Sequence, residues 1–307
     1  MSLGFVFPGQ GSQSLGMLSS LADDNLIVQQ TFASASDVLG YDLWQLVQNG
    51  PADKLNETQI TQPALLTASV ATWRVWSEKQ GAQPIIMAGH SLGEYSALVC
   101  AEAMQFEDAV SLVAKRGEYM QEAVPAGEGA MAAILGLSDD QVRSACSDAA
   151  QGDVVTAVNF NAPGQVVIAG KAAAVDRAIE LSKEAGAKRA LKLAVSAPSH
   201  CQLMEPAAQR LMDQLQSIDV QSPDIPVINN VDVQSQNDAD SIRDALKRQL
   251  CSPVRWVETI QKMHGDGVDQ LIECGPGKVL VGLNKRIEKS MTVLPVFSPE
   301  TFDAALA

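Results

Sequence analysis

A short apolar run over residues 85–88 leads directly into Gly89-His90-Ser91-Leu92-Gly93, and a helical pattern follows over residues 94–100. A strand, the pattern Gly-x-Ser-x-Gly and a helix, in this order, are typical of a nucleophile elbow. Glycines flank the serine because a side chain at either position would clash in so tight a turn. We therefore predict Ser91 as a nucleophile and the backbone N–H of Leu92 as an oxyanion donor, with a plain Gly-rich turn as the alternative.

The composition restricts the class of protein. With 307 residues, the chain is long enough for two domains or for one large domain with an insertion. It is 46% hydrophobic and 19% charged, as in soluble globular proteins, and its net charge of −14 argues against nucleic-acid binding. No apolar run could span a membrane and the N-terminus lacks a signal-peptide layout, so we predict a cytoplasmic protein. The cysteines are odd in number, widely spaced and without a metal or redox motif: Cys100, Cys146, Cys201, Cys251 and Cys274.

Strand and helix patterns alternate along most of the chain, which predicts an α/β protein with a mostly parallel sheet. Residues 130–195 differ, because their order β-α-β-β-α-β is that of a ferredoxin-like unit. A Gly-rich linker, residues 125–129, precedes this unit. We predict a large domain formed by residues 1–126 and 197–307, and a small inserted domain formed by residues 127–196.

A general base for Ser91 has three histidine candidates. Ser199-x-x-Gln202 matches a capping box, which predicts that His200 is the first residue of a helix. The positive end of the helix would keep His200 neutral and able to accept a proton. His90 and His264 are weaker candidates, and His90 is too close to Ser91 in the chain to face it easily.

Two further positions have only a limited local signal. Residues 8–13 form a Gly-rich loop after the first predicted strand. Such a loop can point a backbone N–H group into a binding site, and Gln10 is the residue placed to do so. The loop is not a dinucleotide fingerprint, because Ser14 stands where the third glycine is required. Arg116 lies on a predicted helix over residues 106–124, and local sequence supports only a solvated helix cation there. Trp73 and Trp76, on a helix predicted over residues 61–79, are expected in the core.

Taken together, these motifs resemble the malonyl-CoA:acyl-carrier-protein transacylases of bacterial fatty-acid synthesis. The likeness runs nearly end to end and rests on many separate motifs in the right order. They lie at residues 7–13, 61–64, 89–94, 116–117, 159–165, 198–200 and 275–277, together with Gln249, Pro253, Val254 and Trp256.

The resemblance implies an α/β-hydrolase-like large domain with the ferredoxin-like insert. It implies a Ser91–His200 dyad in which the backbone carbonyl of Gln249, rather than a carboxylate, orients the base. The N–H groups of Gln10 and Leu92 would form the oxyanion hole, and Arg116 would hold the malonyl carboxylate. The substrates would be malonyl-CoA and acyl carrier protein, with no cofactor and no metal, and we expect a monomer.

Other readings stay open from the sequence. A polyketide-type acyltransferase using another acyl-CoA is the nearest alternative, and a Ser thioesterase or hydrolase shares the elbow and the base. A non-enzymatic acyl-carrier scaffold is disfavoured, because the nucleophile, the base and the arginine are all present. An acidic carrier protein would need a local basic patch on this acidic chain, and two sets are candidates: Lys183, Lys188, Arg189 and Lys192, and Lys285, Arg286 and Lys289.

Overall fold

The computed structural model describes residues 2–195 and 197–307, and in these residues the strands form two separate sheets. The first sheet has five strands, and each neighbouring pair is parallel. In spatial order these strands are β7 (Val227–Ile228), β2 (Ile86–Gly89), β1 (Leu3–Phe7), β8 (Gln270–Cys274) and β9 (Thr292–Val296). The second sheet is antiparallel, in the order β4 (Val155–Ala162), β5 (Gln165–Lys171), β3 (Gly129–Leu135) and β6 (Arg189–Lys192).

The helices of the first half of the chain are α1 (Ser19–Asp24), α2 (Leu26–Leu39), α3 (Leu43–Asn49), α4 (Ala52–Leu55), α5 (Thr58–Glu78), α6 (Gly93–Cys100) and α7 (Phe106–Glu122). Those of the second half are α8 (Asp139–Ala150), α9 (Ala172–Glu184), α10 (Glu205–Leu215), α11 (Ala239–Gln249), α12 (Trp256–Gly265), α13 (Val279–Ile287) and α14 (Pro299–Leu306). A 3₁₀ turn, Gln202–Met204, precedes α10.

The predicted fold class is confirmed. The large sheet is parallel, and the second sheet has the strand order of a ferredoxin-like unit, with α8 and α9 packed against it over a core of its own. The exact boundaries of the two domains stay predictions. Ser196, the last residue of the predicted insert, lies outside the described residues.

The core of the large sheet forms around α5. Seventeen of its 21 residues are buried, so this helix is covered by the protein on nearly all sides. Trp73 and Trp76 pack edge-on against Phe5 of β1, with ring centroids 5.1 and 5.2 Å away. The prediction that both tryptophans are core residues is confirmed.

Main-chain hydrogen bonds join the small sheet to the large domain beside the elbow. The N–H of Val254 donates to the carbonyl of Val158 at 2.8 Å, and the N–H of Phe160 donates to the carbonyl of Val254 at 3.0 Å. Strand β4 is thereby fixed against the segment that precedes α12. This attachment places the side chains of Asn159 and Asn161 close to the end of β2.

The five cysteines are all unpaired, and four of them are buried. Among the residues that the structure describes, no helix combines the length and apolar character needed to cross a membrane.

A buried carboxylate closes the N-terminus of α13. Glu273 on β8 is fully buried, and its two oxygens accept from the N–H groups of Leu280 at 3.0 Å and Val281 at 2.7 Å. Burial raises the pKa of Glu273 from 4.5 to about 7, although these hydrogen bonds oppose the shift. The folded state therefore keeps a proton that the unfolded chain releases at lower pH.

This raised pKa predicts how stability depends on pH. Between about pH 4.5 and 7 the folded state binds more protons at Glu273, so the free energy of unfolding falls as pH rises. In the wild-type protein we expect Glu273 to lower the free energy of unfolding by about 3 kcal/mol over this window, and in Glu273→Gln this decrease should be absent. Urea unfolding of both proteins from pH 4 to 8 would measure it. A stability difference that is the same at every pH would contradict the assignment.

Candidate active site

The elbow turns within three residues, between the end of β2 at Gly89 and the start of α6 at Gly93. A Cβ on Gly89 would lie 1.9 Å from the carbonyl oxygen of Gly93, and one on Gly93 would lie 2.1 Å from that of Phe7. Only glycine fits at both places. Ser91 between them has φ 52°, a left-handed conformation that costs a non-glycine residue about 1–3 kcal/mol. Its backbone N–H donates to Oδ1 of Asn230 at 2.7 Å, which helps to hold this conformation.

His200 contacts the Ser91 hydroxyl. The distance from Nε2 of His200 to Oγ of Ser91 is 2.7 Å, and Nδ1 lies 2.8 Å from the backbone carbonyl of Gln249. Because a carbonyl only accepts hydrogen bonds, Nδ1 carries the proton and Nε2 is free to accept the one from Ser91. Burial, with Arg116 nearby, lowers the pKa of His200 to about 3, so the imidazole is neutral at pH 7.

The predicted helical position of His200 is wrong. His200 lies in a turn with φ 65°, and the 3₁₀ turn begins only at Gln202. The hydroxyl of Ser199 contacts the carbonyl of Ala197 at 3.4 Å rather than capping a helix. The imidazole is therefore kept neutral by its burial and by Arg116, and not by a helix end.

Arg116 reaches the nucleophile from α7. It is 1% exposed, so the local expectation of a solvated helix cation is wrong. Its Nη2 lies 3.3 Å from Oγ of Ser91 and donates to Oε1 of Gln249 at 3.0 Å, while Nη1 donates to Oε1 of Gln62 at 2.8 Å. In the described residues every acceptor of this guanidinium is a neutral oxygen, and Nε has no partner. The site therefore holds a buried cation that is not neutralised by direct contact with a carboxylate.

The two predicted oxyanion donors line the same cavity as Ser91. This cavity, of about 110 Å³, is bordered by Gln10, Leu92, Ser91, His200 and Arg116. Within the described part of the chain, no protein acceptor binds the backbone N–H of Gln10 or of Leu92. Both N–H groups are therefore available to a ligand.

The other two histidines do not contact the nucleophile. Nε2 of His90 lies 2.7 Å from Oδ1 of Asn161, and its ring packs against Trp256 with centroids 5.4 Å apart. Nδ1 of His264, near the end of α12, lies 3.3 Å from the carbonyl oxygen of Val268. Of the three histidines, only His200 is placed to accept the proton of Ser91.

Three further polar residues surround the site, and the sequence analysis assigned no role to them. Gln62 binds Arg116, Asn230 binds the backbone of Ser91, and Glu94 binds both Asn230 and Gln249. One local signal was available, because a glutamate is the only charged residue of the buried helix that follows the elbow. Asn230 lies in a loop with no such signal.

Comparisons with known proteins agree with this geometry. The family model described as acyl transferase domain matches residues 4–305. The malonyl CoA-acyl carrier protein transacylase of Salmonella typhimurium is 58% identical over 302 residues, covering 98% of each chain. The crystal structure of an acyl carrier protein S-malonyltransferase from Vibrio cholerae is 59% identical, covers 99% of each chain and superposes with a TM-score of 0.97. A malonyl-transacylase in complex with a type II PKS acyl-carrier protein is 57% identical, covers 100% of this chain and 99% of that chain, and has a TM-score of 0.99.

This fold and site, together with the family model over nearly the whole chain, place the protein among the acyltransferases. The chain belongs to the acyl transferase domain family and, within it, to the malonyl CoA-acyl carrier protein transacylases.

Proposed function

We propose that this protein transfers the malonyl group from malonyl-CoA to the phosphopantetheine thiol of acyl carrier protein, and so supplies fatty-acid chain elongation. The observation that carries the proposal is the 3.3 Å distance between Nη2 of Arg116 and Oγ of Ser91. A buried cation beside the nucleophile favours an acyl group that ends in a carboxylate close to its thioester. Malonyl has this form, with one methylene between the two groups.

The first half-reaction forms an ester on Ser91. As Oγ attacks the thioester carbonyl, Nε2 of His200 takes the hydroxyl proton, and the backbone N–H groups of Gln10 and Leu92 stabilise the oxyanion. The carbon–sulfur bond then breaks, and His200 returns the proton to the thiolate of CoA. Malonyl-Ser91 remains, with its carboxylate on Arg116.

The second half-reaction runs the same steps in reverse. The pantetheine thiol of the carrier protein gives its proton to His200 and attacks the ester carbonyl, and Ser91 leaves with that proton restored. This ping-pong sequence needs only the two substrates and no cofactor. The monomeric state, the cytoplasmic location and the absence of a metal stay predictions from the sequence.

Intact-protein mass spectrometry tests the proposal. After brief mixing with malonyl-CoA and no acceptor, we expect one malonyl adduct that holo acyl carrier protein discharges. An adduct that decays unaided to free malonate would indicate a thioesterase or hydrolase instead. A larger fraction of adduct with methylmalonyl-CoA than with malonyl-CoA would favour the polyketide-type alternative. If neither an adduct nor turnover were observed, the proposal that this protein is an enzyme would be overturned.

The carrier protein needs a positive surface. Of the candidate cations, Lys188 and Arg189 on the insert and Lys285 and Lys289 after it are exposed without a carboxylate partner in the described residues, and we take the last two as the docking pair. On the insert, Lys183 is paired with Glu180 and Lys192 with Asp176, each at 2.7 Å. Arg286 donates to Oε1 of Gln165 at 2.6 Å.

We expect the double change Lys285→Glu and Lys289→Glu to slow discharge of malonyl-Ser91 to acyl carrier protein by about tenfold at low salt. Discharge to free pantetheine should not change, because that acceptor carries no protein surface. Lys183→Glu together with Lys192→Glu is the matched control on the insert, because it reverses the same number of charges. Equal rates for both variants, or a discharge rate that does not depend on salt, would contradict this docking surface.

A further inference from the structure

The mechanism leaves one buried carboxylate beside the site without a role. Glu94, three residues after Ser91, is 2% exposed. Its Oε2 accepts from the backbone N–H of Asn230 at 2.9 Å and from Nε2 of Gln249 at 2.8 Å. Burial raises the pKa of Glu94 to about 7. A carboxylate held in so unfavourable an environment calls for an explanation.

The side-chain amide of Gln249 can face only one way. Its Nε2 donates to Glu94 and also to the backbone carbonyl of Ser91 at 3.1 Å, while its Oε1 accepts from Arg116 at 3.0 Å. Carboxylate and carbonyl oxygens only accept, and a guanidinium only donates. Glu94 and the carbonyl of Ser91 together determine which end of the amide meets Arg116, and the contact with Glu94 is the shorter of the two. The backbone carbonyl of the same Gln249 receives Nδ1 of His200.

Asn230 links Glu94 to the strained nucleophile. While its backbone N–H donates to Glu94, its Oδ1 accepts from the N–H of Ser91 at 2.7 Å and its Nδ2 donates to the carbonyl of Gly89 at 2.7 Å. One oxygen of Glu94 therefore anchors both partners of the elbow, one from the loop after β7 and one from the end of α11. The left-handed backbone conformation of Ser91 persists only where surrounding contacts fix it.

We propose that Glu94 is a positioning residue for acyl selection, which orients Arg116 through the amide of Gln249 and holds the Ser91 turn through Asn230. What it supplies is an acceptor oxygen at one place, rather than charge alone. This inference rests on the proposed function, because it assumes that Arg116 receives the carboxylate of the acyl group.

Two conservative variants separate these roles. In Glu94→Gln, an amide oxygen at the same reach can accept both hydrogen bonds although the charge is lost. In Glu94→Asp, the charge remains but the oxygen is withdrawn by one methylene. We expect Glu94→Asp to lower kcat/KM for malonyl-CoA about 10- to 100-fold and the malonyl-to-acetyl ratio of Ser91 acylation about tenfold. Glu94→Gln should recover most of that ratio.

Glu273 provides the matched control, because it is also a buried glutamate that accepts two N–H groups and has a pKa near 7. Glu273→Asp and Glu273→Gln should lower thermal stability without moving the malonyl-to-acetyl ratio. A wild-type ratio in Glu94→Asp would overturn the inference, as would an equal change in Glu273→Asp. Loss of the ratio in Glu94→Gln with retention in Glu94→Asp would show a charge effect instead. If the wild-type protein transfers no malonyl to carrier protein, the proposed function itself fails, whatever these ratios are.

Discussion

Replacement of Ser91 by Ala is expected to abolish the malonyl-enzyme adduct and to lower malonyl transfer by on the order of 10⁵-fold or more. The expectation follows from the contact of Oγ with both Nε2 of His200 at 2.7 Å and Nη2 of Arg116 at 3.3 Å. Without this hydroxyl the malonyl group has no oxygen on which to form the covalent intermediate. Intact mass after mixing with malonyl-CoA measures the adduct directly.

Two further variants make this result specific. Ser96→Ala removes a different hydroxyl, on α6, that is buried and has no hydrogen-bond partner in the described structure, and it should leave the adduct intact. His200→Ala should slow acylation strongly, and combining it with Ser91→Ala should cost little more, because the two residues act as a unit. A stable adduct in Ser91→Ala would show that another residue is the nucleophile.

The elements that the sequence predicted well are those with a local cause. The strand–elbow–helix unit follows from Gly89, which closely approaches the backbone of Gly93 and Glu94 a few residues further on. The ferredoxin-like insert follows from clear alternation of strand and helix patterns. The terminal helix α14 was missed, although Ser298 and Thr301 form a capping box at its start.

The parts that local sequence could not supply depend on contacts between distant segments. Arg116 reads as a surface cation in its own helix, and its burial becomes visible only when α7 packs against α5 and Gln62 meets the guanidinium. Glu94 lies more than 130 residues away in the chain from each of its partners, Asn230 and Gln249. The capping box at Ser199 failed for a similar reason, because the contact of His200 with Gln249 fixes a turn where local preference predicts a helix. The family resemblance supplied the dyad and the arginine, but not this network.

Replacement of Arg116 by Ala is expected to lower kcat/KM for malonyl-CoA roughly 30- to 5000-fold. This corresponds to a loss of about 2–5 kcal/mol of transition-state stabilisation. The malonyl carboxylate would lose a bidentate, charge-assisted pair inside a buried site. Acetyl-CoA has no such group, so its slow transfer should change much less, and the ratio of malonyl to acetyl transfer should fall. Rates of Ser91 acylation by the two thioesters measure the effect.

The free site predicts that the same arginine also disfavours acetyl. Gln62, Gln249 and Ser91 offer it only neutral oxygens, so within the described residues its charge has no direct counter-ion until a carboxylate enters. An acetyl group would close the site over this unpaired cation, which adds a penalty to the missing attraction. Arg116→Lys should therefore retain part of the preference, since the charge remains while the fork geometry is lost.

A second arginine tests whether the effect belongs to this position. Arg74 lies on α5, donates to Thr31 at 3.0 Å and stacks on the ring of Phe106 at 4.8 Å, away from the elbow. Arg74→Ala should lower stability and leave the malonyl-to-acetyl ratio unchanged. Since Arg116→Ala also removes a partner from Gln62 and Gln249, the acetyl rate reports any general disturbance of the site. An unchanged ratio in Arg116→Ala would mean that another group selects the malonyl carboxylate.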